Sequence, residues 1–189
     1  MREKIISFDK ELLVYLNNLG TTDWDPFWLF VTKQFNWIPV FIVVLFFFFK
    51  FLGWKKGVFL LFFLAVFITF SDQFVNLIRA IFERLRPNND PEIQNKLRTL
   101  IDPQNFSFIS GHATTSTAVA FFAIKTLKDY TKNIYLFIIF PLFFAYSRIY
   151  LGVHFPIDIL TGILVGCFIG FGGAKLFNFF TQRLFAVGS

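Results

Sequence analysis

The sequence predicts an all-α integral membrane protein with five transmembrane helices and an N-terminal helix in the membrane interface. Of its 189 residues 56% are hydrophobic, including 32 phenylalanines, and only 16% are charged, against about 25% in soluble domains. A small core cannot bury so many large rings without overpacking, whereas a lipid-facing surface accommodates them. Five apolar segments approach the ~20 residues needed to cross a bilayer: 28–49, 57–81, 111–128, 133–151 and 156–178.

Residues 1–25 precede these segments and contain an amphipathic stretch. Apolar side chains recur there at helical spacing with charged residues between them, as in a helix that lies in the membrane interface. Packing of this helix against the rest of the protein is an equally good interpretation. The stretch lacks the continuous apolar region and the cleavage site of a signal peptide. Its apolar members are Ile5, Phe8, Leu12, Tyr15, Leu16 and Leu19.

The connection at 82–110 is the longest and contains three prolines, so we expect a loop with one short helix near 91–100. Basic residues in the short connections predict the orientation, because cytoplasmic loops are enriched in Lys and Arg. The N-terminus, the 82–110 loop and the 152–156 turn then face outward. The cytoplasmic group is Lys50, Lys55, Lys56, Lys125, Lys128, Lys132, Lys175 and Arg183.

The formal charge of +6 is spread over the ends of apolar segments and forms no basic run. We therefore expect contact with anionic lipid headgroups in the bilayer and no nucleic-acid partner. The chain has a single cysteine, Cys167, which excludes an intrachain disulfide and a cysteine-based metal cluster.

Three clusters of polar residues lie at predicted helix ends, all on the outer side. Ionisable residues at membrane depth are costly unless they line a cavity or contact a partner, so this shared placement indicates a functional site. The clusters are Arg79 with Arg86–Pro87, then Ser110–Gly111–His112, then Ser147–Arg148 with His154 and Asp158.

The first property of this candidate site is anion binding. Guanidinium groups present fixed forks of donors that suit phosphate oxygens, and three of them imply a ligand with more than one negative charge. Ser110 and Gly111 precede a helix, whose N-terminal N–H groups and dipole favour an anion. The three arginines are Arg79, Arg86 and Arg148.

The second property is proton transfer or nucleophilic attack. His112 and His154 can act as base, acid or nucleophile near neutral pH. Asp158 follows His154 by four residues, one helical turn, so its carboxylate can accept a hydrogen bond from one imidazole nitrogen. Such a bond orients the ring and makes the other nitrogen more nucleophilic.

These clusters resemble the three motifs of the type 2 phosphatidic acid phosphatase (PAP2) family of membrane lipid phosphatases. The family pattern is Lys-x6-Arg-Pro, then Pro-Ser-Gly-His, then Ser-Arg-x5-His-x3-Asp. The chain departs from it in having Arg79 in place of Lys and Ile109 in place of Pro, and neither change removes a reactive group. The matching residues are Arg79-x6-Arg86-Pro87, Ile109-Ser110-Gly111-His112 and Ser147-Arg148-x5-His154-x3-Asp158.

The resemblance implies a PAP2-type helical bundle as a single domain over 1–189, with its motif core at 79–158. It also implies that His154 forms a phosphohistidine, that Asp158 orients His154, and that His112 protonates the leaving oxygen and then activates water. No metal and no cofactor is implied. The residues implied to hold the phosphoryl oxygens are Arg79, Arg86, Ser110, Gly111 and Arg148.

The expected function is metal-independent removal of a terminal phosphate from a membrane lipid, with the site facing outward, in a bacterial inner membrane. Candidate substrates are undecaprenyl pyrophosphate, phosphatidylglycerol phosphate, phosphatidic acid and lipid A 1-phosphate. A lipid phosphotransferase with the same histidine intermediate is the nearest alternative. A non-catalytic membrane protein that binds an anion or a lipid is a more distant one.

Three further features lie outside the motifs. Asp72 and Asn76 share a helix face with Arg79 and are predicted to support it from below; interhelical hydrogen bonds unrelated to the site are an equal alternative. Arg84 is interpreted as an ordinary interfacial anchor. A small-residue stripe on the last helix favours close packing within the chain over a homo-oligomer interface; its glycines are Gly162, Gly166 and Gly170.

Overall fold

The computed structural model describes residues 2–185, which are helical apart from turns and one long connection, with no strand in that range. The all-α class is therefore confirmed. Short 3₁₀ turns separate several of the α-helices. The helices are α1 (Arg2–Asn18), α2 (Asp25–Val31), α3 (Ile38–Phe82), α4 (Gly111–Leu127), α5 (Ile139–Tyr150) and α6 (Pro156–Phe185).

Helix α3 combines two of the predicted spanning segments. Gly53 interrupts it with φ 79° and ψ 169°, a conformation that glycine adopts without steric cost. We call 38–52 the first arm of α3 and 54–82 the second arm. The predicted start of the first segment at residue 28 is wrong, because Pro39 is tolerated only in the first turn of a helix and α3 accordingly begins at Ile38.

Within residues 2–185, three helical stretches are long and apolar enough to cross a membrane by length and composition: Gln34–Asn89, Lys132–Tyr150 and Pro156–Phe185. The first of these contains both arms of α3. Helix α4 spans 17 residues, close to the length that a bilayer requires. The protein is therefore an integral membrane protein, and the count of five spans stays a prediction.

Helix α4 packs between α5 and α6. Gly162, Gly166 and Gly170 face α4 closely: a Cβ added at Gly166 would lie 2.5 Å from the carbonyl oxygen of Thr114, and one at Gly170 2.5 Å from that of Ala118. Small residues allow such backbone approach. Packing within the chain, the favoured interpretation of this stripe, is what the structure shows. A homo-oligomer through the last helix stays a prediction.

Helix α1 lies across one end of the bundle. Its buried side chains Asp9, Leu13 and Asn17 are spaced by four residues, whereas Phe8 and Tyr15 are exposed. The amide nitrogen of Asn17 donates to the carbonyl oxygen of Tyr150 at 2.7 Å, which fixes α1 to the end of α5. The packed interpretation of the N-terminal segment is therefore correct, and contact of its exposed face with the membrane interface stays a prediction.

The connection after α3 contains short 3₁₀ turns at Pro87–Asn89 and Gln94–Lys96, so the short helix expected near 91–100 is present as a single 3₁₀ turn. Tertiary contacts replace helical hydrogen bonds there. Arg98 donates through Nη2 to both carboxylate oxygens of Asp25, at 2.9 and 3.0 Å, and its backbone N–H donates to Asn17. These bonds hold the connection over the end of the bundle.

Candidate active site

Motif residues from four parts of the chain meet at one end of the bundle, where α3 and α5 end and α4 and α6 begin. At the end of α3, Glu83 adopts a left-handed conformation (φ 44°, ψ 31°) and its N–H donates to the carbonyl oxygen of Arg79. A left-handed residue is a common way to end a helix. It reverses the chain, so that Arg84 and Arg86 turn back toward the start of α6.

The pair His154–Asp158 is built by the start of α6. Asp158 lies in the first turn, and its Oδ2 accepts from the backbone N–H of Phe155 at 3.0 Å, as the acidic residue of a capping box does. The same Oδ2 lies 3.4 Å from Nδ1 of His154. Both side chains are buried, at 1% and 0% exposure. The helix cap therefore places the carboxylate beside the imidazole, as the four-residue spacing predicts.

Arg86 contacts the other side of the imidazole. Its Nη1 lies 3.1 Å from Nε2 of His154, and because a guanidinium only donates, Nε2 carries the lone pair and Nδ1 the proton. Asn105 holds Arg86 in place by accepting from Nη2 at 2.6 Å and from Nε at 2.7 Å. The carbonyl oxygen of Val153 accepts from Nη1 at 2.9 Å.

His154 lies in the turn that joins α5 to α6, and the charge state of its imidazole follows from its surroundings. Burial, followed by the positive charges of Arg86, Arg148 and Arg79, lowers the pKa of His154 well below its usual value. The imidazole is therefore neutral at pH 7. A neutral ring with an unprotonated Nε2 is the form of histidine that can attack an electrophile.

The other two arginines reach the same end of the bundle. Arg79 donates through Nε to the carbonyl oxygen of Ile109 at 3.1 Å, and a Cβ added at Gly111 would lie 3.2 Å from Arg79 Nη2. Arg148 is 6% exposed and donates through Nη1 to the hydroxyl of Thr32 at 2.7 Å. Its buried Nε–H has no partner among the described residues. A buried unpaired donor costs free energy unless a ligand oxygen accepts from it.

The start of α4 holds Ser110 and His112. The hydroxyl of Ser110 accepts from the N–H of Ala113 at 3.4 Å, an N-cap bond, and its own N–H donates to the carbonyl oxygen of Asp158. His112 stacks on Phe144 with ring centroids 4.6 Å apart. Ser110 thus caps α4 and ties it to α6, while the imidazole of His112 lines a cavity.

That cavity has a volume of about 690 Å³ and extends from Arg79, Gly111 and His112 between the arms of α3. A few polar groups interrupt its mainly apolar wall. Asp72 Oδ1 accepts from the hydroxyl of Thr115 at 2.9 Å, and Asn76 lines the same wall. Asp72 and Asn76 therefore share the cavity with Arg79, and their support of Arg79 stays a prediction.

The interpretation of Arg84 as an interfacial anchor is wrong. Its Nη1 donates to Oδ1 of Asp158 and its Nη2 to Oδ2 of Asp9, both at 2.7 Å. Sequence reasoning also missed Asn105 and Thr32, which hold Arg86 and Arg148. These partners come from distant segments without a motif, so no spacing in the sequence indicates them.

The PAP2 superfamily model matches residues 56–182. The lipid A 4′-phosphatase of Bacteroides thetaiotaomicron is 33% identical, over 98% of this chain and 82% of the relative. That of Porphyromonas gingivalis is 28% identical, over 96% and 78%. LpxE of Aquifex aeolicus superposes with a TM-score of 0.64 at 26% identity, covering 87% of this chain and 93% of that one.

The fold likeness extends to a second solved structure, a transmembrane PAP2-type phosphatidylglycerolphosphate phosphatase from Bacillus subtilis. Its TM-score is 0.69 at 20% identity, over 96% of this chain and 88% of the other. At this identity the likeness concerns the arrangement of helices alone.

Proposed function

Because the chain belongs to the PAP2 superfamily, whose named members in this comparison are phosphatases, we propose that it removes a terminal phosphate from a membrane lipid through a phosphohistidine on His154. The observation that carries this proposal is the environment of the imidazole. Its Nδ1–H faces Asp158 and its Nε2 lone pair faces Nη1 of Arg86.

In the first step, Nε2 of His154 attacks phosphorus, and the bond between phosphorus and the leaving oxygen breaks. The phosphoryl oxygens accept from Arg86 Nη1, which points at the imidazole in the unliganded site, and from Arg148 Nε, which has no partner there within the described range. Arg79 and the Gly111 backbone lie beside these donors. Such donors stabilise the transition-state charge. His112 enters this step as the imidazolium, a form that the negative charge of the bound phosphate favours, and becomes neutral as it donates a proton to the leaving oxygen.

In the second step, His112 accepts a proton from water as the water oxygen attacks phosphorus. The bond between phosphorus and Nε2 breaks, inorganic phosphate leaves, and His154 returns to its neutral form. Asp158 stabilises the positive charge that the ring carries while it is phosphorylated, through the Nδ1–H contact at 3.4 Å. His112 is a proton donor in one step and a proton acceptor in the other.

The cavity supports a lipid as the substrate. It opens beside Arg79 and His112 and continues along apolar side chains of α3, α4 and α5. A phosphate bound beside Arg79 and His112 therefore leaves room for a hydrocarbon chain along the apolar part of the cavity. Lipid A phosphate is the first substrate to test, since two relatives that cover most of the chain are lipid A 4′-phosphatases. We further propose five spans in a bacterial inner membrane, with this site on the outer side.

The substrate proposal is tested by phosphate release in detergent with EDTA present. The panel contains lipid A phosphate, undecaprenyl pyrophosphate, phosphatidylglycerol phosphate, phosphatidic acid and a short-chain soluble phosphate ester. We expect at least one long-chain lipid to be hydrolysed with a higher kcat/KM than the soluble ester. Equal rates on all five substrates, or activity only on the soluble ester, would contradict a lipid substrate.

Narrowing the cavity is expected to affect lipids selectively. Val119 lies on its wall, so Val119→Trp should raise KM for the preferred lipid by about tenfold, a loss of ~1.4 kcal/mol in binding, and leave the soluble ester within about twofold. Val66→Trp is the matched control, since Val66 lies outside the cavity and is 55% exposed. Equal effects of both variants on both substrates would show that the hydrocarbon chain does not occupy this cavity.

We propose that Asp72 and Asn76 support Arg79 from below. They lie on the wall that Arg79 shares, and we expect Asp72→Asn to lower turnover about threefold to tenfold, an effect of ~1 kcal/mol. Thr115→Val is the comparison, because it removes the hydroxyl that donates to Asp72 and contacts Ser71 Oγ at 3.1 Å, while the carboxylate of Asp72 and Arg79 itself remain. If Asp72→Asn leaves turnover and thermal stability unchanged, or if Thr115→Val reproduces its effect, the support of Arg79 is disproved.

A phosphotransferase would use the same phosphohistidine and pass the phosphate to a lipid acceptor. The distinction depends on which acceptor reaches His112. Product analysis with labelled phosphate separates the two: free inorganic phosphate identifies the hydrolase, and a labelled second lipid identifies the transferase.

A further inference from the structure

A buried chain of ion pairs joins the N-terminal helix to the proposed nucleophile. Asp9 of α1 is 1% exposed and Asp158 of α6 is 0% exposed. Arg84 lies between them, with Nη2 at 2.7 Å from Oδ2 of Asp9 and Nη1 at 2.7 Å from Oδ1 of Asp158. One guanidinium thus binds two buried carboxylates through separate nitrogens.

Arg84 is held in this position by contacts of both its guanidinium and its backbone. Its guanidinium lies over the ring of Phe155 at 3.8 Å from the centroid, directly after His154 in the chain. The backbone N–H of Ser107 donates to its carbonyl oxygen at 2.9 Å. A side chain fixed at both ends can impose an orientation on its partners, which a mobile surface arginine cannot do.

The bond from Arg84 determines which oxygen of Asp158 faces the imidazole. Arg84 takes Oδ1, which leaves Oδ2 for His154 Nδ1 at 3.4 Å and for the N–H of Phe155 at 3.0 Å. Burial alone favours a neutral carboxylic acid, and the adjacent guanidinium favours the ionised form that can accept the imidazole proton. Asp158 therefore depends on Arg84 for the ionised form that orients His154.

Asp9 anchors this arrangement from outside the motif core. Its Oδ2 accepts from Arg84, and its Oδ1 accepts from the N–H of Ile157 at 2.9 Å, an otherwise unpaired donor in the first turn of α6. Burial raises the pKa of Asp9, and Arg84 and the Ile157 N–H oppose that shift. Asp9 thus fixes both Arg84 and the start of the helix that carries Asp158.

We propose that Arg84 and Asp9 are positioning residues for the nucleophile, so that α1 is part of the catalytic apparatus. This inference rests on the proposed function of His154. Neither side chain reaches the phosphate; both act through the orientation and ionisation of Asp158. Removal of either should slow the phosphoryl-transfer step and leave substrate binding nearly unchanged.

The test measures kcat and KM of the full-length protein in detergent for Asp9→Asn, Arg84→Lys and Arg84→Gln. Lys10→Gln is the matched control, because Lys10 also fastens α1 to its surroundings, through Asp90 at 2.7 Å and Glu92 at 2.9 Å, without contacting Asp158. Rates are normalised to folded protein, measured by size-exclusion recovery and the thermal midpoint.

We expect Asp9→Asn and Arg84→Gln to lower kcat at least tenfold with KM within threefold, and Arg84→Lys, which keeps the charge, to recover part of the loss. The Asp9→Asn/Arg84→Gln double variant should be no slower than Arg84→Gln, since coupled residues are not additive. Lys10→Gln should keep wild-type kcat.

Wild-type kcat per folded molecule in Asp9→Asn would overturn the inference, as would a loss that merely follows the loss of folded protein or that Lys10→Gln reproduces. Failure of the proposed function gives a different result, since the wild-type enzyme itself would then form no phosphoenzyme.

Discussion

Replacing His154 with asparagine is expected to lower turnover by about 10⁴-fold or more, because loss of a covalent nucleophile removes the reaction path itself. Asparagine keeps a polar group beside Asp158 Oδ2, which accepts the imidazole contact and the Phe155 N–H, so the start of α6 should remain intact. The measurement is phosphate release from the preferred lipid in detergent with EDTA present.

The control for this variant is its thermal midpoint, which should lie close to that of the wild-type protein. Loss of activity in a protein that still folds then shows that the chemical step is affected and not the stability of the fold. Residual activity above about a tenth of wild type would contradict a nucleophilic role and would favour direct attack by water.

Gly166→Ala is expected to destabilise the fold by about 1–3 kcal/mol, the usual cost of overpacking. The added Cβ would lie 2.5 Å from the carbonyl oxygen of Thr114 and 2.8 Å from Cβ of Thr117. Because backbone atoms cannot rotate away, α4 and α6 must separate. The site should weaken as well, since these two helices carry His112 and Asp158. The thermal midpoint and turnover measure the two effects.

Gly172→Ala is the matched control in the same helix. No atom of the described part of the chain lies within 4 Å of a Cβ added there, and alanine in a helix interior is favoured over glycine by about 1 kcal/mol. We expect this variant to be as stable as the wild-type protein or more so. Equal destabilisation by both substitutions would mean that the close contact of α4 and α6 does not form.

The parts of the site that the sequence predicts correctly are those set by local geometry. His154 and Asp158 are four residues apart at the start of a helix, so their contact follows from helix periodicity. Ser110 caps α4, as expected for a serine before a helix. The motifs also locate the three arginines, because the helix ends near which they lie meet at one end of the bundle.

The parts that sequence reasoning missed depend on contacts between distant segments. Asp9 and Arg84 are separated by 75 positions, and neither occurs in a spacing typical of an ion pair. In the connection after α3, tertiary bonds leave the expected short helix as one 3₁₀ turn at Gln94–Lys96. The break at Gly53 produces the two arms, and the cavity between them follows from their packing, which hydropathy does not encode.

Covalent catalysis by His154 can be observed by rapid quenching of the wild-type enzyme with phosphate-labelled lipid, followed by mapping of the label. We expect up to one acid-labile, base-stable label per chain, located on His154, that forms and decays at least as fast as turnover. Continued phosphate release without labelled protein, or a label on His112 or any other residue, would contradict it.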